Sequence, residues 1–261
     1  MRKQISRRQA LGAVGAVGLG AVLTACSRGD GGSSAGSTST SSTTTTSGGS
    51  AASTSTGLVT ADLFESAGTC TLTPEMTEGP YYFDVDSIRR DIREDREGAA
   101  LRLGIRVRDG ASCAPLPNAV VDIWHCDALG VYSGFEAAST GGGDGGGGGG
   151  LTDNETYLRG AQVTNADGIA EFVTVYPGWY RGRTVHIHSK VHLDDSTMLT
   201  TQLFFDDDFT ERVYAQEPYA SDSGRDTFND GDNIFDDALL LTLSQNGDEY
   251  LGLITFDVAA A

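Results

Sequence analysis

Three of the four histidines in this chain fall within seven residues, inside the run Tyr176 to His192, YPGWYRGRTVHIHSKVH. His186 and His188 lie two apart in a stretch that reads as a β-strand. Their side chains therefore leave the same face, and both imidazoles can reach one metal ion at about 2.0–2.1 Å. Tyr176, Tyr180 and Arg183 lie just upstream, and no cysteine or acidic residue interrupts the run. An ion held by this motif takes phenolates as its anionic partners. That choice of donors narrows which metal it can be, and the two-histidine, one-carboxylate set is absent from the motif. Phenolate is a hard, electron-rich donor, and a tricationic metal pulls tyrosine ionisation far below its ordinary value of about 10. The plainer reading of two such histidines is a pair of surface or hydrogen-bonded imidazoles.

The elements that must position these residues are read as strands. Leu101, Leu103, Ile105 and Val107 alternate with Arg102, Gly104, Arg106 and Arg108, the period of a half-buried strand. Ala119 to His125 is a more uniformly apolar strand, leaving through Asp127 to Tyr132 as a loop. Tyr157 to Thr164 and Ile169 to Val175 flank the turn signal Asn165-Ala166-Asp167-Gly168. Thr184 to Leu193 is the histidine strand and Thr200 to Phe205 the next. Leu239 to Leu243 and Glu249 to Val258 pair around Asn246-Gly247. Ile88 to Arg96 reads as an exposed charged turn, and Gly141 to Gly150 as a loose loop. Short strands with turn punctuation and little helical period predict an all-β fold, a β-sandwich with long loops.

The first 57 residues are poor material for a core. Arg2, Lys3, Arg7 and Arg8 precede an apolar run from Ala10 to Leu23, the layout of an export signal, with the paired arginines of a twin-arginine signal. Leu23-Thr24-Ala25-Cys26 is similar to a lipoprotein cleavage box. Residues 1–25 are thus expected to be a signal peptide with Cys26 as the lipidated first residue, residues 26–57 a Ser/Thr/Gly tether, and 58–261 one domain. An exported, surface-anchored or extracellular protein follows, touching a membrane only through the lipid at Cys26. The formal charge is −18, and −22 without the four amino-terminal cations, a balance that repels nucleic acid. Cys70, Cys113 and Cys126 remain, an odd number, so one thiol is expected to be free; Cys70 with Cys113 is the pair considered.

Four blocks in order carry a resemblance: Thr77-Glu78-Gly79-Pro80-Tyr81 with Val121-Asp122-Ile123-Trp124 to Tyr132, then Tyr176-Pro177, then Arg183-x-x-His186-x-His188, then Thr201-Gln202-Leu203-Phe204-Phe205. Together they resemble the intradiol ring-cleavage dioxygenases, and the signal, tether and Pro177-Gly178-Trp179-Tyr180 look like the secreted branch. The resemblance implies a mononuclear Fe(III), with Tyr132 and Tyr176 as phenolate ligands and His186 and His188 as imidazole ligands. Tyr176 is followed directly by proline, as the family ligand is, with Tyr180 as the alternative. Arg183 matches an arginine beside the substrate ring and Gln202 a glutamine behind the ligands.

The chemistry so implied uses a catecholic substrate as the electron source and O2 as the oxidant, with no nicotinamide, flavin or external reductant. The ring opens between its two hydroxylated carbons to give a cis,cis-muconate, Tyr176 serving as a base and Arg183 stabilising anionic character on the ring. A homodimer is admitted. His125 and His192 are not assigned as ligands, and Trp124 and Trp179 read as core. Asp206-Asp207-Asp208 and Asn229 to Asn233 are taken as solvated acidic loops, since neither has full calcium-loop spacing. The rival reading is a non-enzymatic immunoglobulin-like module that uses the same cluster for packing.

Overall fold

The computed structural model describes residues 59–64, 70–139, 150–194 and 196–259. The expected signal peptide, Cys26 and the tether lie outside the described residues, as does the glycine loop up to residue 149. Among the described residues, eight strands form two four-stranded sheets. One has the order β4-β1-β8-β7, from β1 (Ala100–Asp109), β4 (Ile169–Val175), β7 (Thr242–Asn246) and β8 (Glu249–Val258). The other has the order β3-β2-β5-β6, from β2 (Val120–Trp124), β3 (Arg159–Val163), β5 (His186–Leu193) and β6 (Ser196–Phe204). All neighbours are antiparallel except β1 and β8, which run parallel at the centre of their sheet.

The sandwich follows from the period-two pattern. Leu101, Leu103, Ile105 and Val107 of β1 meet Val121 and Ile123 of β2, Ile187 and Val191 of β5, and Leu203 of β6 in one core, all fully buried. Burying each such side chain contributes about 1.5–3 kcal/mol. The alternate positions must then face outward. On the β3-β2-β5-β6 sheet these are Trp124, His186, His188 and Gln202, paired in register as Trp124↔His188 and His188↔Gln202. They are nonetheless buried, because loops cover that face with a second apolar cluster of Trp124, Cys126, Tyr132 and Phe135, joined by Tyr81, Tyr82, Phe83 and Tyr180.

Several expectations are corrected. Ile88 to Arg96 is no exposed turn: Ile92 is fully buried, and bridges Ile88↔Ala161 and Asp91↔Val173 tie the segment to β3 and β4. The acidic run at Asp206 begins a helix, α2 (Asp207–Tyr214), following a short α1 (Glu136–Ser139). Asp206 caps α2 by accepting from Phe209 N at 2.7 Å, and acidic residues in the first turn suit the positive end of the helix. The last hairpin is shifted, since Asp236 caps a 3-10 turn over Asp237–Leu239 and β7 starts only at Thr242. Cys70 and Cys113 form a disulfide, and Cys126 is free and buried.

Candidate metal centre

β5 brings the two histidines to one point. Nδ1 of His186 donates to the Thr184 carbonyl at 2.6 Å, which leaves Nε2 as the acceptor and aims it at Nε2 of His188, 3.1 Å away. Trp124 stacks on the His188 ring at 5.0 Å and 9°, fixing its plane. Burial holds His186 down at about 3 and His188 well below its ordinary value, aided by the positive Arg183 and, for His188, by its neighbour His186. Both rings are therefore neutral, the form that binds a metal.

Two phenols complete the cluster, and they are Tyr132 and Tyr180. The Tyr180 hydroxyl lies 2.9 Å from His186 Nε2. The Tyr132 ring stands edge-on to Tyr180 at 5.8 Å and to His188 at 6.2 Å. Its hydroxyl is buried beside that of Tyr180 without a well-formed hydrogen bond. Burial raises both phenols above the ordinary tyrosine value, so without a cation they stay protonated.

Tyr176, the favoured second phenolate, is elsewhere. It follows β4 directly, its amide donates to Ala99 O, and its hydroxyl pairs with Thr210 at 2.9 Å in the core among Phe205, Phe209 and Tyr219. The chain then turns across the loop after β2. Gly178 N donates to Asp127 O, and a Cβ on Gly178 would meet Ala128 O at 2.5 Å. In return Gly130, at φ +80°, lies so close to Trp179 that a Cβ would meet its carbonyl at 2.3 Å. Two glycines thus let the loop carrying Tyr132 and the loop carrying Tyr180 interlock.

Arg183 and Gln202 lie against the cluster. Arg183 Nη1 is 3.4 Å from His186 Nε2, and Nη2 donates to Gln202 Oε1 at 2.5 Å. Gln202 is fully buried and donates to Thr77 O at 2.9 Å, anchoring the segment whose Tyr81 packs on Tyr132 at 4.8 Å. His125 is a core histidine bridging Cys126 O and Thr174 Oγ1, each at 2.7 Å. His192 lies beyond a β-bulge and bonds to Thr197.

Two residues were invisible to pattern reading. Arg159 is 1% exposed and donates to Ser133 Oγ, Ser133 O and Tyr81 O, locking the Tyr132 loop to the segment over the site. Burial lowers it to about 10. Asp232, in the acidic run taken as a solvated loop, instead pairs with Arg183 at 2.8 Å. A lone Arg in a strand and an Asp 49 positions from its partner carry no local signal.

The donor set fits a single hard cation. Two neutral imidazole nitrogens 3.1 Å apart have the spacing of adjacent ligands on one ion with bonds of about 2.1 Å. The hydroxyl of Tyr132 is buried without a well-formed hydrogen bond, a cost that coordination of this cluster would offset. No third His, Cys, Asp or Glu joins the two histidines among the described residues, and the remaining donors are phenols.

Residues 74–220 match the sequence profile of a family described as Dioxygenase. The chain is 32% identical over 142 residues to a catechol 1,2-dioxygenase of a Pseudomonas strain, covering 50% of this chain but 46% of that protein, so it spans about half the length of this curated relative. An intradiol ring-cleavage dioxygenase from Tetranychus urticae superposes with a TM-score of 0.67 at 32% identity, over 72% of this chain and 95% of the other. The dioxygenase domain of a dioxygenase and carbohydrate-binding protein fusion from a cellulolytic Streptomyces gives 0.54 at 30% identity, over 73% and 100%. With the profile spanning more than half the chain and a solved relative covered almost end to end, the chain belongs to the intradiol ring-cleavage dioxygenase family.

Proposed function

We propose that this protein is an Fe(III)-dependent intradiol dioxygenase that converts a catechol and O2 into a cis,cis-muconate. The observation that carries this is that His186 Nε2 lies within hydrogen-bond distance of both His188 Nε2 and the Tyr180 hydroxyl, with the buried hydroxyl of Tyr132 beside that of Tyr180. These four residues would hold the metal. A ferric ion there would ionise both phenols and withdraw electron density from a chelated catechol, so that the substrate, not an added reductant, supplies electrons to O2.

The chain's own residues supply the rest. Tyr180 sits on a loop, not on the sheet, and its Oη, once ionised, is the base for a catechol hydroxyl proton. Arg183 presents Nη1 to the site and stabilises negative charge developing on the ring, while Gln202 holds Nη2 in place. The cluster of Tyr81, Phe83 and Phe135 around Tyr132 keeps water from the back of the site. By the amino-terminal pattern, this chemistry takes place outside the cytoplasm, on a lipid at Cys26; absence of labelled fatty acid on the exported protein, with the same result for Cys26→Ser, would overturn that placement.

The test is oxygen uptake with catechol, protocatechuate and hydroxyquinol, alongside iron content and the visible spectrum. One iron per chain, a burgundy phenolate-to-iron band that shifts on anaerobic addition of catechol, and a ring-opened product are expected. His188→Ala should lose iron and colour, whereas Arg183→Ala keeps iron and loses about 10²–10³-fold in kcat. A colourless protein that takes up no iron would favour the packing-only module instead.

A further inference from the structure

Asp232 is no metal donor, yet it is the buried acidic group that Arg183 rests on. Its side chain is fully buried, and Oδ2 accepts from Arg183 Nε at 2.8 Å and from Thr184 N at 2.9 Å, while Oδ1 accepts from Ile234 N at 2.9 Å. With Nε engaged, the guanidinium turns its other edge to the site, Nη2 on Gln202 and Nη1 3.4 Å from His186 Nε2. That nitrogen is one that would bind the ferric ion. A guanidinium so close to a trication is a cation facing a cation, in surroundings that screen charge poorly. The two ionised phenols would offset part of the metal's charge, and Asp232, the ion-pair partner of Arg183 among the described residues, offsets that of the guanidinium.

We propose that Asp232 is a positioning residue that neutralises Arg183 and fixes the direction of its fork, so that a cation can stand beside the metal donors. This rests on the ferric reading above. Backbone donors and Arg183 outweigh burial and keep the carboxyl below its ordinary value, in keeping with that role.

The experiment is a double-mutant cycle with Asp232→Asn and Arg183→Gln, singly and together, on the iron-loaded protein and, for thermal midpoint, on the metal-free protein. Asp232→Asn is expected to lower kcat about 30–100-fold with KM within about threefold, and to change kcat less than twofold in the Arg183→Gln background. In the metal-free protein it should lower the thermal midpoint more with Arg183 present than in the Arg183→Gln background. Equal losses in both backgrounds would overturn the proposal, because Asp232 would then act only on the backbones of Thr184 and Ile234. A loss confined to KM would overturn it too. If the wild-type chain takes up no iron, the ferric reading falls, while coupling of the pair in the metal-free midpoint remains separately readable.

Discussion

The hydroxyl of Tyr180 donates to Nε2 of His186 across 2.9 Å, and it does so because His186 spends its Nδ1 proton on the Thr184 carbonyl. The relation separates two tyrosines that are only four residues apart. Tyr180→Phe should lose the visible band and most iron. Tyr176→Phe should keep both and cost about 1 kcal/mol of stability, the worth of its bond to Thr210. Iron lost from the Tyr176 variant and retained by the Tyr180 variant would reverse the assignment.

The interlock between the two ligand loops has its own signature. A methyl group at position 178 would collide with the backbone of Ala128, and one at 130 with that of Trp179. Neither backbone can swing aside as a side chain could. Gly178→Ala and Gly130→Ala are each expected to cost about 1–3 kcal/mol and to lower iron occupancy. Full occupancy and an unchanged thermal midpoint in both would show that the loops can part freely.

Acid should destabilise the metal-free domain earlier than its carboxylates alone would require. His125 is held at about 4 and His186 at about 3 by burial, with His188 also well below its ordinary value. The unfolded chain takes up these protons near pH 6.5, so between there and the folded values it binds more protons than the folded form, and stability falls as pH falls. Each histidine contributes up to about 1.4 kcal/mol per pH unit. A thermal midpoint that stays flat from pH 7 to pH 5 in the iron-free protein would contradict this.

Reduction of the Cys70–Cys113 bridge should be felt at a distance. The bridge closes a separation of 43 residues, a constraint on the unfolded chain of about 4 kcal/mol. It also anchors the segment that continues through Thr73 on Asp257 and Met76 on Thr200 to Thr77 on Gln202. A reductant is expected to lower the thermal midpoint by more than about 5 °C without removing iron at room temperature. An unchanged midpoint would mean that the bridge constrains little.

The sandwich and the histidine pair were legible because both rest on a period of two, the most direct signal a sequence carries. Core positions such as Leu101 and Ile187 and site positions such as His186 and His188 are two phases of one alternation. What was not legible depended on chain direction after a strand ends. Tyr176 and Tyr180 differ only in how Pro177 and Gly178 turn the backbone past Asp127, which no local pattern records. Helix α2 was hidden because the acidic residues that cap and open it also read as a solvated loop, and Asp232 because its partner lies 49 positions away.

Cys126 donates its thiol to the Gly178 carbonyl at 3.4 Å, completely enclosed, and burial pushes its ionisation far upward. A sulfur that neither ionises nor meets solvent takes no part in thiol exchange. Oxidised after folding, Cys70, Cys113 and Cys126 therefore have one pairing open to them; oxidised as a loose chain, they have three. The order of folding and oxidation, not the oxidant, decides whether this domain emerges correctly bridged.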